Sequence, residues 1–263
     1  MNSSSPIGIF DSGVGGLSIW KEIVSLLPNE DTIYLADSKN APYGEKSKQE
    51  IIELCIKNTE LLLKKGCKII VVACNTATTN AIGYLRTNYD VPFIGIEPAI
   101  KPAALQTKTG AVGILATKGT LSSELFHETS KKFTEGITVI EQIGEGLVPL
   151  IEKGQIESEE MQKLLQKHLQ PMLAKHIDYL VLGCSHYPFL LAEIQKITGN
   201  NVTIIDSGEA VARQTKAILE KNNLLNNTKH QTSHTIFTNS KNSSIKKILE
   251  ILEKDVEVQY LDF

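Results

Sequence analysis

Two cysteines end apolar runs and are followed by small polar residues, in Val71-Val72-Ala73-Cys74-Asn75-Thr76 and in Val181-Leu182-Gly183-Cys184-Ser185-His186. A thiolate is a base and a nucleophile, but a free thiol with a pKa near roughly 8.5 is only a few per cent ionised at neutral pH. Each cysteine precedes a segment expected to be helical, and Pro188 suits a first helical turn after Cys184. Free amide groups and the positive end of a helix dipole favour a thiolate. Both residues are therefore expected to be usable bases, and two of them at matched places on one cleft call for a joint role.

The other two cysteines lack this setting. Cys55 falls in an amphipathic stretch, 47–65, where Ile51, Leu54, Cys55 and Leu62 share a face and Ser47 with Glu50 forms a capping box. Cys67 sits at the far end of the Cys74 strand, roughly 20 Å away at about 3.3 Å per residue. Both read as core thiols. No C-x-x-C pair and no suitably spaced histidine suggests a zinc or other metal site, and a reducing compartment would keep all four as thiols.

The elements that hold these residues alternate between β-prone apolar runs and amphipathic helical patterns, which indicates βαβ units and mostly parallel sheets. Strands are expected at 7–10, 33–36, 68–73, 93–96, 111–115, 137–141, 179–182 and 202–205. The two cysteine motifs are 110 residues apart, and at the same offset 93–97 lines up with 203–207. Ile7-Gly8-Ile9-Phe10 matches Val112-Gly113-Ile114-Leu115 at an offset of 105. Three matches in one order imply two similar α/β domains related by pseudo-twofold symmetry. The tail carries a helix over 208–219, a strand over 234–238, a helix with Ile245, Ile248, Leu249 and Leu252, and an alternating Val256, Val258, Tyr260. Nothing in the second half echoes it, so it is expected to return to the first domain. The division is then 1–97 plus 208–263 against 98–207.

Ligands of open parallel sheets sit beyond the carboxyl ends of the strands, where both cysteines lie. Phe10-Asp11-Ser12-Gly13-Val14-Gly15-Gly16 is a strand, a glycine-rich turn and a helix start, but Ser18 stands where a third nucleotide-fingerprint glycine belongs, and no G-K-[ST] follows. The glycines either bring backbone amides close to a small anion, with Asp11 and Ser12 projecting towards Cys74, or serve helix packing. Only two arginines exist, Arg86 and Arg213, and neither belongs to these motifs. Carboxylates must then meet neutral donors: Ser12, Asn75, Thr76, Thr117, Thr120, Ser185 and the amides of Tyr43 and Gly44 in the Asn40-Ala41-Pro42-Tyr43-Gly44 turn.

A formal charge of -3, with lysines spread along the chain, gives no nucleic-acid footprint. No apolar run approaches the roughly 18 residues of a membrane helix. The polar run from Met1 to Pro6 is no secretory signal, so a cytoplasmic protein is expected. With 41% hydrophobic and 22% charged residues, disorder is not indicated.

Taken in order, Phe10-Asp11-Ser12-Gly13-Val14-Gly15-Gly16-Leu17, Ala41-Pro42-Tyr43-Gly44, Cys74-Asn75-Thr76-Ala77, Glu97-Pro98-Ala99-Ile100-Lys101-Pro102-Ala103 and Gly183-Cys184-Ser185-His186-Tyr187-Pro188 closely resemble the glutamate racemases of the aspartate/glutamate racemase superfamily. The resemblance spans nearly the whole chain. It implies an active site in the cleft between the two α/β domains, interconversion of L- and D-glutamate without a cofactor, supply of D-glutamate for peptidoglycan, and substrate contact at Pro42 with the donors named above. It also implies catalytic roles for Asp11 and His186 beside the two thiols, and an accessory one for Glu152. Oligomeric state varies among such enzymes, and a homodimer is compatible.

Two positions depart from the pattern. Ser185 stands where threonine is usual, and Thr79 where a small apolar residue is commoner. Racemisation needs a base on one face of the α-carbon and an acid on the other. On this reading Cys74 and Cys184 exchange those roles, with Asp11 assisting Cys74 and His186 assisting Cys184. An aspartate racemase, a non-catalytic amino-acid-binding protein and a thiol peroxidase or disulfide exchanger are the competing readings.

Overall fold

The apolar runs become strands, and the central ones, Ile7–Asp11, Ile69–Val72 and Ala111–Ala116, are buried throughout because helices cover both faces of their sheets. The computed structural model describes residues 2–263, so the Met1 end of the polar N-terminal run lies outside the described residues. The strands are β1 (Ile7–Asp11), β2 (Thr32–Ala36), β3 (Ile69–Val72), β4 (Phe93–Gly95), β5 (Ala111–Ala116), β6 (Thr138–Ile143), β7 (Tyr179–Gly183), β8 (Thr203–Ile205), β9 (His234–Thr238) and β10 (Glu257–Tyr260). They form a six-stranded sheet in the order β10-β9-β2-β1-β3-β4 and a four-stranded sheet in the order β6-β5-β7-β8.

The two-sheet architecture expected from the echo is present. Every ladder is parallel, and β2-β1-β3-β4 repeats as β6-β5-β7-β8. β9 and β10 extend the first sheet beyond β2, while the helix Gly208–Lys221 lies along the helix Leu17–Leu26. β6 runs two residues past its expected end, because its ladder continues to Ala116 opposite Ile143 although Glu141 and Gln142 break the apolar pattern. Pairing with a buried neighbour overrides local preference there.

The Ser47 and Glu50 capping box forms, opening the helix Lys48–Lys64. One apolar cluster runs across both units, from Val14, Leu17 and Trp20 to Leu147, Leu150 and Tyr187, and separate clusters cover the outer faces. Cys55 and Cys67 lie in the outer cluster of the first sheet, as core thiols should. Burial pushes Cys67 up to about 12 and Cys55 further still.

At the opposite end from the strand carboxyl termini, Lys68 and Glu30 form a fully buried ion pair at 2.5 Å. The Lys68 ammonium also donates to the carbonyl of Ser3, and Glu30 accepts the Asn226 amide at 2.8 Å. Among the described residues, no helix is long and apolar enough to cross a membrane.

Candidate active site

Parallel pairing sends the loops after β1, β3, β5 and β7 to the same side of their sheets, which brings Ser12, Cys74, Thr117 and Cys184 together. They wall one cavity whose free volume is about 10 Å³, room for roughly one water. Pro42, Tyr43, Gly44, Asn75, Thr76, Ser185 and His186 complete its wall with Val148, a residue that no sequence signal marked. Three expected site residues, Asp11, Thr120 and Glu152, stand behind this wall. A wider cleft of about 980 Å³ adjoins it and shares Pro42, Gly44, Thr117 and Val148.

The two thiols differ in setting. Cys74 caps the helix Asn75–Asn88, and its sulfur accepts the Ala77 amide at 3.4 Å. Ser12 Oγ lies 3.8 Å from the same sulfur. The expected thiolate-favouring helix end is therefore present, yet it does not prevail. Burial raises the Cys74 pKa well above that of a free thiol, Asp11 and Cys184 raise it further, and the Ala77 amide and Ser12 only partly oppose them.

Cys184 departs from expectation differently, since only a short 3₁₀ turn, Tyr187–Leu190, follows it and the next helix begins at Leu191. Its close partner is an imidazole, with His186 Nδ1 3.8 Å from Cys184 Sγ.

Glu152 governs that imidazole. Its Oε1 lies 2.6 Å from His186 Nε2 and accepts the Val14 amide at 2.7 Å, while Oε2 accepts the Ser38 hydroxyl at 3.2 Å. Burial disfavours the imidazolium, but hydrogen bonds to Cys184 and Glu152 and the charge of Asp11 hold the His186 pKa well above that of free histidine. The glycine-rich turn thus does bring an amide to an anion, and the anion is the chain's own carboxylate. A Cβ at Gly13 would fall 1.9 Å from Glu152 Oε1, and one at Gly15 2.2 Å from His186 Nδ1.

Asp11 is fully buried, and its carboxylate is bonded to the Gly13 amide and to Ser185 Oγ, both at 3.1 Å, with no hydrogen bond to Cys74. Burial raises its pKa, His186 and the amides of Gly16 and Gly13 lower it, and Glu152 raises it. Ser185, the departure from threonine, keeps its hydroxyl in use on Asp11, and its carbonyl accepts from Ser18 Oγ at 2.8 Å. Thr79, the other departure, lies outside the wall and bonds the Thr76 carbonyl at 3.3 Å.

The remaining donors fall into two groups. Thr76, Thr117 and Thr120 form a ring of hydroxyls between the two units, with contacts of 2.7, 3.0 and 3.3 Å. Asn75 is buried, and neither atom of its amide has a hydrogen-bond partner. Tyr43 donates its hydroxyl to Asp37 at 2.5 Å and receives Asn58 at 3.1 Å, so that hydroxyl is already engaged within the first unit. Among the described residues, no cluster of His, Cys, Asp and Glu could hold a metal ion.

The family model for Asp/Glu/Hydantoin racemase matches residues 7–215. The glutamate racemase of Herpetosiphon aurantiacus is 46% identical over 94% of this chain and 98% of its own length. Among solved structures, glutamate racemase isoform RacE1 from Bacillus anthracis superposes with a TM-score of 0.88 at 32% identity, over 100% of this chain and 99% of that one. Escherichia coli glutamate racemase, solved with L-glutamate and the activator UDP-MurNAc-Ala, gives 0.86 at 34% identity over 97% of both chains.

Proposed function

The chain belongs to the Asp/Glu/Hydantoin racemase family and is an amino-acid racemase, and on that premise we propose that it interconverts L- and D-glutamate by passing protons between the substrate and two thiols, without a cofactor. The observation that carries this reading is the placement of Cys74 and Cys184 after β3 and β7, equivalent strands of the two sheets, on the wall of a single cavity. The glutamate racemases among its relatives, one of them holding L-glutamate, support the choice of substrate.

In the L to D direction Cys184 as thiolate, with the His186 imidazolium beside it, takes the α-proton. The C–H electron pair stays on carbon as a new S–H bond forms. Cys74 then gives its proton to the opposite face and is left as thiolate, and the reverse direction exchanges these roles. Burial favours the protonated form of Cys74, which suits it to deliver the proton in this direction.

Ser12, Asn75, Thr76, Thr117, Ser185 and the amides of Tyr43 and Gly44 hold the two carboxylates, with Pro42 packing alongside. The partnerless Asn75 amide supports this, because a buried amide without bonds costs about 1–3 kcal/mol unless something uses it. Thr120 backs Thr76 and Thr117, and Asp11 acts on Cys74 by charge while orienting Ser185. The two units part to admit substrate from the wider cleft, then close and exclude water, which strengthens every interaction with the developing carbanion. Sheet membership supports a division of 1–97 plus 208–263 against 98–207. We place the reaction in the cytoplasm, as a source of D-glutamate for peptidoglycan.

The test replaces each thiol in turn, Cys74→Ser and Cys184→Ser, and follows α-proton exchange in heavy water from each enantiomer. Loss of racemisation in both variants is expected. If each still racemises both enantiomers at near the wild-type rate, the two-thiol scheme fails. Faster turnover of aspartate than of glutamate would instead assign the site to aspartate.

A further inference from the structure

The turn that follows Glu152 is gripped by the C-terminal segment. The helix Leu147–Glu152 ends at Lys153 and at Gly154, whose φ of +68° is a left-handed conformation that favours glycine. Ser244 Oγ donates to the Ile151 carbonyl at 3.2 Å, and the Lys247 ammonium donates to the Gly154 carbonyl. A Cβ on Gly154 would meet Lys247 Cδ at 2.8 Å, so the lysine stem lies directly across the glycine.

Ser244 and Lys247 belong to the start of the helix Ile245–Ile251, anchored in the core by buried Ile245, Ile248 and Leu249. That helix joins β9 to β10 of the six-stranded sheet, whereas the Glu152 helix lies between β6 and β7 of the four-stranded one. Two hydrogen bonds therefore cross between the units within two residues of the carboxylate that holds His186.

We propose that Ser244 and Lys247 are positioning residues for the racemase reaction, holding the turn after Glu152 so that its carboxylate stays on His186 and on the Val14 amide. The inference rests on reading His186 as the proton partner of Cys184. It gives the C-terminal extension, which has no counterpart in the second unit, a part in the chemistry. The charged and titratable groups facing His186 are Glu152, Cys184 and Asp11, and only Glu152 lies next to the gripped turn.

The experiment measures kcat, KM and the pH profile for both enantiomers in Lys247→Met, Lys247→Arg, Ser244→Ala, Glu152→Gln and the double variant Lys247→Met with Glu152→Gln. Loss of one hydrogen bond should lower kcat about threefold to tenfold in Lys247→Met and Ser244→Ala. The pH profile should move in the same direction as in Glu152→Gln. Lys247→Arg should restore the rate, and Lys247→Met should add nothing once Glu152 is Gln. Wild-type kcat and pH profile in both single variants, or a loss carried in full into the Glu152→Gln background, overturns the proposal. A wild-type profile in Glu152→Gln itself overturns instead the reading of the Glu152 and His186 pair. If Lys247→Met does not fold, Ser244→Ala, which removes only a hydroxyl, decides the same question.

Discussion

Glu152 Oε1 stands 2.6 Å from His186 Nε2, and this contact sets how the imidazole meets Cys184. With Nε2 donating to the carboxylate, Nδ1 is the atom that faces the thiol, at 3.8 Å. A carboxylate behind a histidine fixes its orientation and favours its charged form.

Glu152→Gln should therefore lower kcat/KM by about tenfold to a hundredfold, the worth of a hydrogen bond to a charged group at about 1.5–3 kcal/mol. The two enantiomers should lose equally, since the equilibrium between them is unchanged. The limb of the pH–rate profile that reports the imidazolium should move to lower pH, because the carboxylate is one of the groups that raise the His186 pKa. The stability that His186 contributes follows the same sign. It is complete below the unfolded value of about 6.5 and is lost as pH rises through the raised folded value. Denaturant titrations of wild type and variant across that window check this.

Gly13 and Gly15 owe their identity to the pair they face. Gly13→Ala would drive a methyl group into Glu152 Oε1, and Gly15→Ala into His186 Nδ1. Overpacking of this kind costs about 1–3 kcal/mol of stability. Because the displaced groups are Glu152 and His186, kcat should fall more steeply than stability, whereas Gly110→Ala, with open space around its Cβ position, should leave kcat unchanged and cost only the strain of its positive φ. Steady-state kinetics beside thermal melts separates the two effects.

Glu30→Ala should cost about 3–5 kcal/mol of stability, since it leaves the Lys68 ammonium buried with no carboxylate partner. The pair lies at the far end of the sheet from the cavity, so kcat of the folded fraction should hold. Adding Lys68→Met removes the stranded charge and should recover most of the loss. Urea unfolding of the single and double variants checks the prediction.

Much of this molecule could be read directly from the order of its residues. Apolar alternation located the strands, and the echo between Cys74 and Cys184 implied two units of one plan with both thiols at strand carboxyl ends. Ser47 and Glu50 announced a helix start. These are short-range features, since strand period, cap and turn chemistry depend on residues a few positions apart. Recurrence at a fixed offset is likewise visible without coordinates.

Contacts between distant segments were another matter. Nothing near Gly13 says that its amide neighbour binds a carboxylate 138 residues further on, nor does Tyr43 reveal that its hydroxyl turns to Asp37. Val148 joined the cavity wall without polarity or motif, and Ser244 and Lys247 reached the Glu152 turn through packing of the last helix. The Cys74 thiol shows the reason most plainly. Its helix cap is local and legible, but the burial that outweighs it is the sum of atoms supplied by both units. Only the folded chain determines that sum.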